Sequence, residues 1–508
     1  MTDRPNDNRA YATLSERFST ASKLAGARAL LFWDSQTNMP AGGAWARGEE
    51  MAAIDAVSSD LLAAPDSMDL LEAADEALDA LSPPERANLV EMRRIARHQA
   101  AAPKALQVEK ARLIAALQQD WLAAKQDDDF LRFARGFEKL LPVHREIAAL
   151  KGQALGLSPY DALMDEVDPG LTTATVDPIF ADLEAYLPAL LTEVVERQAG
   201  WPDPIPFQGD FSVERQRALA QALLEAVGHT NANCRIDNAP HPFALAGSPG
   251  DNRFTTRFDA DNIRFAILAT LHEAGHSLYE AGLPRDLAFS PVGAARGATA
   301  HESQSLMVEM QAGRSREFIG WLAPQMQAAF GGPAEGWTVS NVLNAYRRVG
   351  QGYIRVEADE ISYPLHIILR YRLEQGLLSG DLKVADLPEA WNALSQRLFG
   401  RRPPNNAQGC LQDIHWAMGL FGYFPNYALG ATFAAQLFER ANQDDPGIRA
   451  GLADGDFGPY RDWVRPRIHQ RASQVSFADL VQDATGAPFS AEALKRHLRH
   501  RYLEEEAP

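Results

Sequence analysis

Apolar residues recur at three- and four-residue spacing through most of the chain, and that period restricts it to a fold built from packed helices. AYATLSERFSTASKLAGARALLFWD (10–34), QVEKARLIAALQQDWLAAK (107–125) and VDPIFADLEAYLPALLTEVVERQAG (176–200) each hold it over several turns. Helices with one apolar stripe must bury it against one another, so a mostly α protein is expected. Proline and glycine interrupt the pattern at Trp201–Asp210, Ala239–Asp251 and Phe399–Gly409, which read as loops. None is a long polar tract and no internal repeat appears, so residues 1–508 read as a single unit, two lobes around a central cleft being the simplest arrangement.

One stretch departs from the helical period. In NRFTTRFD, Asn252 to Asp259, Phe254, Thr256 and Phe258 alternate with Arg253, Thr255 and Arg257, which predicts a strand of a small sheet. It precedes a helix that carries the most informative motif of the chain, ATLHEAGHSLYEAGL at Ala269–Leu283. Asp261 is the expected cap of that helix, Ile263, Ile267, Leu271, Ala274 and Leu278 its apolar stripe, and Gly282 with Pro284 its end. At 3.6 residues per turn His272 and His276 lie one turn apart on one face, where two imidazoles can converge on an ion, with Glu273 beside it as a general base. Gly275 costs about 1 kcal/mol against alanine within a helix, which implies that something approaches closely there.

A third ligand is required. Glu280 continues the face, but residues 272, 276 and 280 spread over about 12 Å of helix axis, too far for three bonds to one ion. The HExxHxxGxxH pattern fails because Tyr279 and Gly282 stand at its glycine and third histidine. The ligand therefore comes from another helix, and TAHESQSLMVEM, Thr299–Met310, offers Glu302. Thr299 and Glu302 also match a capping box, in which case Glu302 would bind backbone instead; His301 is an alternative ligand or a support for one.

Charge and cysteine content bound the partners. With 67 acidic against 49 basic residues the formal charge is -18, which repels phosphate backbones and anionic membranes. Nucleic acid and membrane partners are not expected. No signal-peptide core or 18-residue apolar window is present, and Cys234 and Cys410 are too few for a disulfide framework, so a cytoplasmic protein is expected.

HEAGH followed by HESQS resembles the carboxypeptidase Taq family of metallopeptidases, M32. HPF at His241–Phe243, DNRFT at Asp251–Thr255, IRVEADE at Ile354–Glu360, GCLQDIHW at Gly409–Trp416 and GYFPNYALG at Gly422–Gly430 agree with that family in order, as do Phe32-Trp33-Asp34 and Met39-Pro40 near the start. The resemblance implies a large, cleft-shaped, helical metallopeptidase of the HExxH gluzincin type with a small sheet beside its active site. It implies a homodimer that uses zinc, with cobalt also able to serve, to remove single residues from the C-termini of peptide substrates with broad specificity. His272, His276 and Glu302 would hold the metal, and Glu273 would act as general base and then general acid. His415 and Tyr423 would donate hydrogen bonds to the oxyanion, and His241 would line the cleft. Asp251, Arg253 and Asp359 either contact substrate or pair among themselves. Among Arg253, Arg347, Arg348 and Arg355, a planar guanidinium suited to a terminal carboxylate, Arg355 is the expected anchor and Arg348 the reserve, unless Arg355 pairs with Glu357, Asp359 or Glu360. A helical endopeptidase or dipeptidyl carboxypeptidase, or a non-catalytic zinc-containing peptide binder, are the competing readings; retention of Glu273 argues against the last.

Overall fold

The computed structural model describes residues 9–230, 232–239, 242–245, 249–350 and 352–507. Four helices open the chain: α1 (Arg9–Thr37), α2 (Ala44–Leu62), α3 (Ser67–Glu76) and α4 (Pro83–Ala100). Leu14, Phe18, Leu71, Leu89 and Met92 bury a small core between α1, α3 and α4. Next come α5 (Lys104–Asp127), α6 (Phe130–Leu155), α7 (Pro159–Val167), α8 (Thr173–Gln198) and α9 (Val213–Val227). A sheet of β1 (Cys234–Asn238), β2 (Phe243–Ala244) and β3 (Asn252–Thr256) leads into α10 (Ile263–Gly282) and α11 (Gly297–Leu306). A π-helical turn at Met307–Ala312 precedes α12 (Arg316–Phe330), α13 (Val339–Arg347), α14 (Ser362–Ser379), α15 (Leu387–Phe399) and α16 (Pro425–Asp444). The chain closes with α17 (Gly447–Ala453), α18 (Gly458–Arg467), α19 (Phe477–Thr485) and α20 (Glu492–Arg499), which runs into a second π turn at His500–Glu504. None of the helices among the described residues is long and apolar enough to cross a membrane.

The three periodic segments become α1, α5 and α8, as their spacing predicts. Two large apolar cores hold the molecule together. One gathers α9 to α12 and the sheet around Phe254, Leu271, Phe318 and Phe433; the other gathers α5 to α8, α14 and α15 around Phe137, Phe180, Ile368 and Phe424. α16 serves both, with Phe433 and Leu437 in the first and Ala428 and Leu429 in the second. It therefore ties the two cores together.

The sheet differs in part from expectation. β3 ends at Thr256 rather than Asp259, and it is the central strand, parallel to β1 and antiparallel to β2. β1 was not anticipated, and β2 falls inside the stretch read as a loop. A two-residue strand is too short to show alternation, so its pairing with β3 is what defines it. α10 is capped by Asn262, whose side chain accepts from the Phe265 N–H, and not by Asp261. Its predicted stripe is buried, and so are Thr270, Glu273, Gly275, Ser277 and Tyr279 on its other faces. A helix covered on nearly all sides belongs to the interior.

Candidate metal centre and substrate cleft

α10 presents His272 and His276 with ring centroids 4.9 Å apart at 85°. From α11, Glu302 places Oε1 3.8 Å from His272 Nε2 and Oε2 3.5 Å from His276 Nε2. One ligand atom from each of the three lies within 4.8 Å of the others. Two glycines permit this convergence. A Cβ on Gly275 would sit 2.5 Å from Gln304 O, so the α10 and α11 backbones touch; a Cβ on Gly430 of α16 would sit 2.7 Å from Glu302 Cγ. The close approach implied by Gly275 is thus made by the helix that carries Glu302. The capping-box alternative fails, because α11 begins at Gly297 and its first turn is held by Asp168, which accepts from Thr299 N and Thr299 Oγ1, both at 2.8 Å. Glu302 is left to face the histidines.

The surroundings fit a divalent cation. Glu302 Oε1 and Glu273 Oε2 are buried without a hydrogen-bond partner among the described residues, a costly state for carboxylate oxygens unless a cation or a reacting proton sits with them. Although burial opposes it, Glu302 and Glu309 raise the His272 imidazole to about 10; a cation between the ligands would displace the proton held there. Burial and the adjacent His301 take His276 down to about 4, leaving a neutral ring with a free lone pair. Burial pushes the Glu273 carboxyl up to about 7, suited to taking and returning a proton near neutrality.

Behind the candidate ligands stand Glu309, which sequence reasoning missed, and His301, which it weighed as a ligand or a support. Glu309, in the π turn, places Oε2 3.0 Å from His272 Nδ1 and is itself bonded by Arg314 Nη2 at 2.8 Å. A carboxylate on the far nitrogen of a ligating histidine fixes its tautomer and raises its basicity. His301 Nδ1 lies 2.6 Å from His276 Nδ1, and His301 Nε2 lies 2.9 Å from Glu280 Oε1. His301 is accordingly a support for His276, and Glu280 finds its partner there.

The expected oxyanion donors and carboxylate anchor lie against the other core. His415, in a 3-10 turn at His415–Met418, places Nε2 3.1 Å from Tyr427 Oη, with the Tyr423 ring 6.0 Å away. Burial takes His415 down to about 3, so it is a neutral imidazole; burial and then the Glu302 carboxylate push the Tyr423 phenol up to about 12, so it keeps its proton. Arg355 does not pair with Glu357, Asp359 or Glu360. Its Nε and Nη2 bond Asp413 Oδ1 at 3.1 and 2.9 Å, and its guanidinium lies 4.9 Å from the Tyr427 ring centroid. Asp413 Oδ2 takes Arg370 Nε at 2.6 Å. Asp413 and Tyr427 stand within the GCLQDIHW and GYFPNYALG segments, and that position was the only signal for them.

Other expected residues lie apart. Arg348 is spent on the carbonyls of Gln198 at 2.8 Å and Trp201 at 3.3 Å, and stacks over Trp201, which makes it a brace for the 201–202 loop. Arg347 bonds Arg314 O and Glu505. Asp251 and Arg253 pair with each other at 2.7 Å, and Asp359 caps α14 by accepting from Ile361 N and Ser362 N. His241 falls outside the described residues.

The model of the carboxypeptidase Taq (M32) metallopeptidase family matches residues 13–502. The chain belongs to the M32 family. Thermostable carboxypeptidase 1 of Thermus thermophilus is 35% identical over 97% of this chain and 98% of its own, and carboxypeptidase 1 of Bacillus subtilis is 33% identical over 95% of both. Among solved structures, metallocarboxypeptidase 1 of Trypanosoma cruzi superposes with a TM-score of 0.94 at 35% identity, covering 97% of this chain and 99% of that one. M32 membership makes the protein a metal-dependent carboxypeptidase and sets aside the endopeptidase and non-catalytic readings.

Proposed function

We propose that this M32 protein is a zinc carboxypeptidase in which His272, His276 and Glu302 hold the ion, Glu273 is the general base and acid, His415 and Tyr423 bind the oxyanion, and Arg355 holds the substrate's terminal carboxylate. The observation that carries it is the convergence of the three ligand atoms within 4.8 Å, beside the unpartnered oxygens of Glu302 and Glu273. Two imidazoles and a carboxylate are a donor set suited to zinc, and cobalt fits the same set. A bound divalent ion supplies Lewis-acid polarisation and a water of lowered pKa. Glu273 then takes the proton of the attacking water and returns it to the leaving amine. His415 and Tyr423 donate where negative charge develops on the scissile carbonyl. Arg355 sets the register: its guanidinium, steadied on one edge by Asp413, meets the terminal carboxylate one residue beyond the scissile bond.

The family resemblance alone supports a substrate-binding role for His241, and Arg348 is taken only as a loop brace. Assembly as a homodimer and a cytoplasmic location complete the reading, the first supported by the family resemblance and the second by two free buried cysteines. Glu273→Gln tests the division of labour. The variant should bind zinc as the parent does and lose turnover by about a thousandfold or more, whereas His272→Ala should lose zinc. A Glu273→Gln enzyme of near-normal activity would refute the mechanism.

A further inference from the structure

Glu309 can reach His272 only because of where the π turn puts it. Across Met307–Ala312 the chain leaves α-helical bonding, with Gly313 N donating to Val308 O five residues back at 2.8 Å. Such turns carry one extra residue, and relaxing one to α geometry re-aims the side chains across it by about 100°. The turn also ends a helical run, so its last carbonyls lack the partners a continuing helix would provide.

Those carbonyls are satisfied from the far end of the chain. Arg501, 6% exposed in the C-terminal π turn His500–Glu504, donates from Nη1 to Met310 O at 2.6 Å and from Nη2 to Gln311 O at 2.7 Å. These are the two residues directly after Glu309. The guanidinium is anchored in turn by Glu360, whose Oε1 accepts from Nη1 at 2.7 Å and whose Oε2 accepts from Tyr502 Oη at 2.8 Å. The guanidinium spreads these bonds over two N–H groups of one rigid plane, spanning two successive carbonyls and a carboxylate, which a lysine's single ammonium cannot reproduce with the same geometry. On the other side, a Cβ on Gly313 would fall 2.6 Å from Glu309 O, so the turn is shaped from both directions.

We propose that Arg501 is a positioning residue for the metal centre: by clamping the π turn it holds Glu309 on His272, so the C-terminal segment governs how firmly the ion is retained. The inference rests on the metal reading of His272, His276 and Glu302. Its effect passes through Glu309 and does not require Arg501 to touch the ion or the substrate.

Zinc release from the loaded enzyme into excess EDTA, followed well below the unfolding temperature with a chromophoric zinc indicator, tests it. Arg501→Met should release zinc about tenfold faster, and Arg501→Lys, which keeps the charge facing Glu360 but loses the fork, should also release it faster, by a smaller factor. Glu309→Gln should behave as Arg501→Met, and the double variant should be no faster than Glu309→Gln alone. Glu505→Gln, which breaks the neighbouring Arg347–Glu505 pair without touching the π-turn carbonyls, should release zinc at the parental rate. If Arg501→Met does not fold, Arg501→Lys decides. Parental release from Arg501→Lys, or fully additive effects in the double variant, overturns the proposal and leaves Arg501 as a stabilising residue only. A parent that holds no stoichiometric zinc, or a His272→Ala variant that keeps it, overturns the metal reading itself and the clamp with it.

Discussion

On the proposed reading Arg355 serves structure and substrate together. Its Nε and Nη2 are committed to Asp413, while none of the described residues accepts from Nη1, which leaves that donor for a ligand. Replacing it with alanine would strand Asp413 in a buried site with one cation fewer, so Arg355→Lys is the cleaner probe. It should raise KM for free-acid peptides and lower the free-acid to amide rate ratio by roughly tenfold to a hundredfold; an unaltered ratio would mean that the carboxylate is held elsewhere. Tyr423→Phe should lower kcat by about a hundredfold with a smaller change in KM, since an oxyanion donor acts mainly in the transition state. Unchanged kcat would assign Tyr423 to packing against Tyr427, whose ring lies 5.5 Å away.

At the scale of elements, the contact of α10 with α11 is the critical one. Gly275→Ala would gain about 1 kcal/mol of helix propensity, yet its Cβ would stand 2.5 Å from Gln304 O and 2.7 Å from Ser305 Cα. Backbone cannot yield as a side-chain tip can, so the clash wins: the variant should have a lower Tm and weaker zinc binding, and a variant more stable than the parent would contradict this contact. α14 holds the opposite wall. Glu374 accepts from Tyr160 Oη at 2.8 Å, Trp416 Nε1 at 2.9 Å and Gly422 N at 3.0 Å, tying α7 to the segments that bear His415 and Tyr423. Burial raises its carboxyl to about 7. A raised acid favours the fold fully below its unfolded pKa near 4.5 and loses that contribution as pH rises through 7. The Tm of the parent relative to Glu374→Gln should therefore fall between pH 5 and 8, and a pH-independent difference would contradict a titrating Glu374.

The parts of the site readable from the sequence are those in which spacing implies geometry. His272 and His276 share a helical face, and Glu302 lies on the next helix within a run that resembles a known family. Glu309 was not readable, because reaching His272 depends on a π turn that MVEMQA does not announce. Arg314, Arg370 and Asp413 act through contacts set by tertiary packing, and nothing in their local pattern distinguishes a bracing charge from a solvated one. The strand pairing of β1 and β2 was missed for a similar reason, since a short strand is defined by its neighbour.

Across the whole molecule, two cores meet at α16, one beside the candidate metal ligands and their supports, the other beside the proposed oxyanion donors and the proposed anchoring arginine. On the proposed reading neither half contains a complete site, so activity would depend on their register. The central claim is that this assembly removes single residues from free C-termini with a bound divalent ion and Glu273. The most direct measurement is mass spectrometry of a defined peptide with a free C-terminus during incubation with the zinc-loaded enzyme, with the chelated and reloaded enzyme, and with Glu273→Gln. The predicted result is a ladder that loses one residue at a time from the C-terminus, abolished by chelation, restored by zinc and absent with Glu273→Gln; internal fragments, released dipeptides or a ladder that persists after chelation would contradict the account.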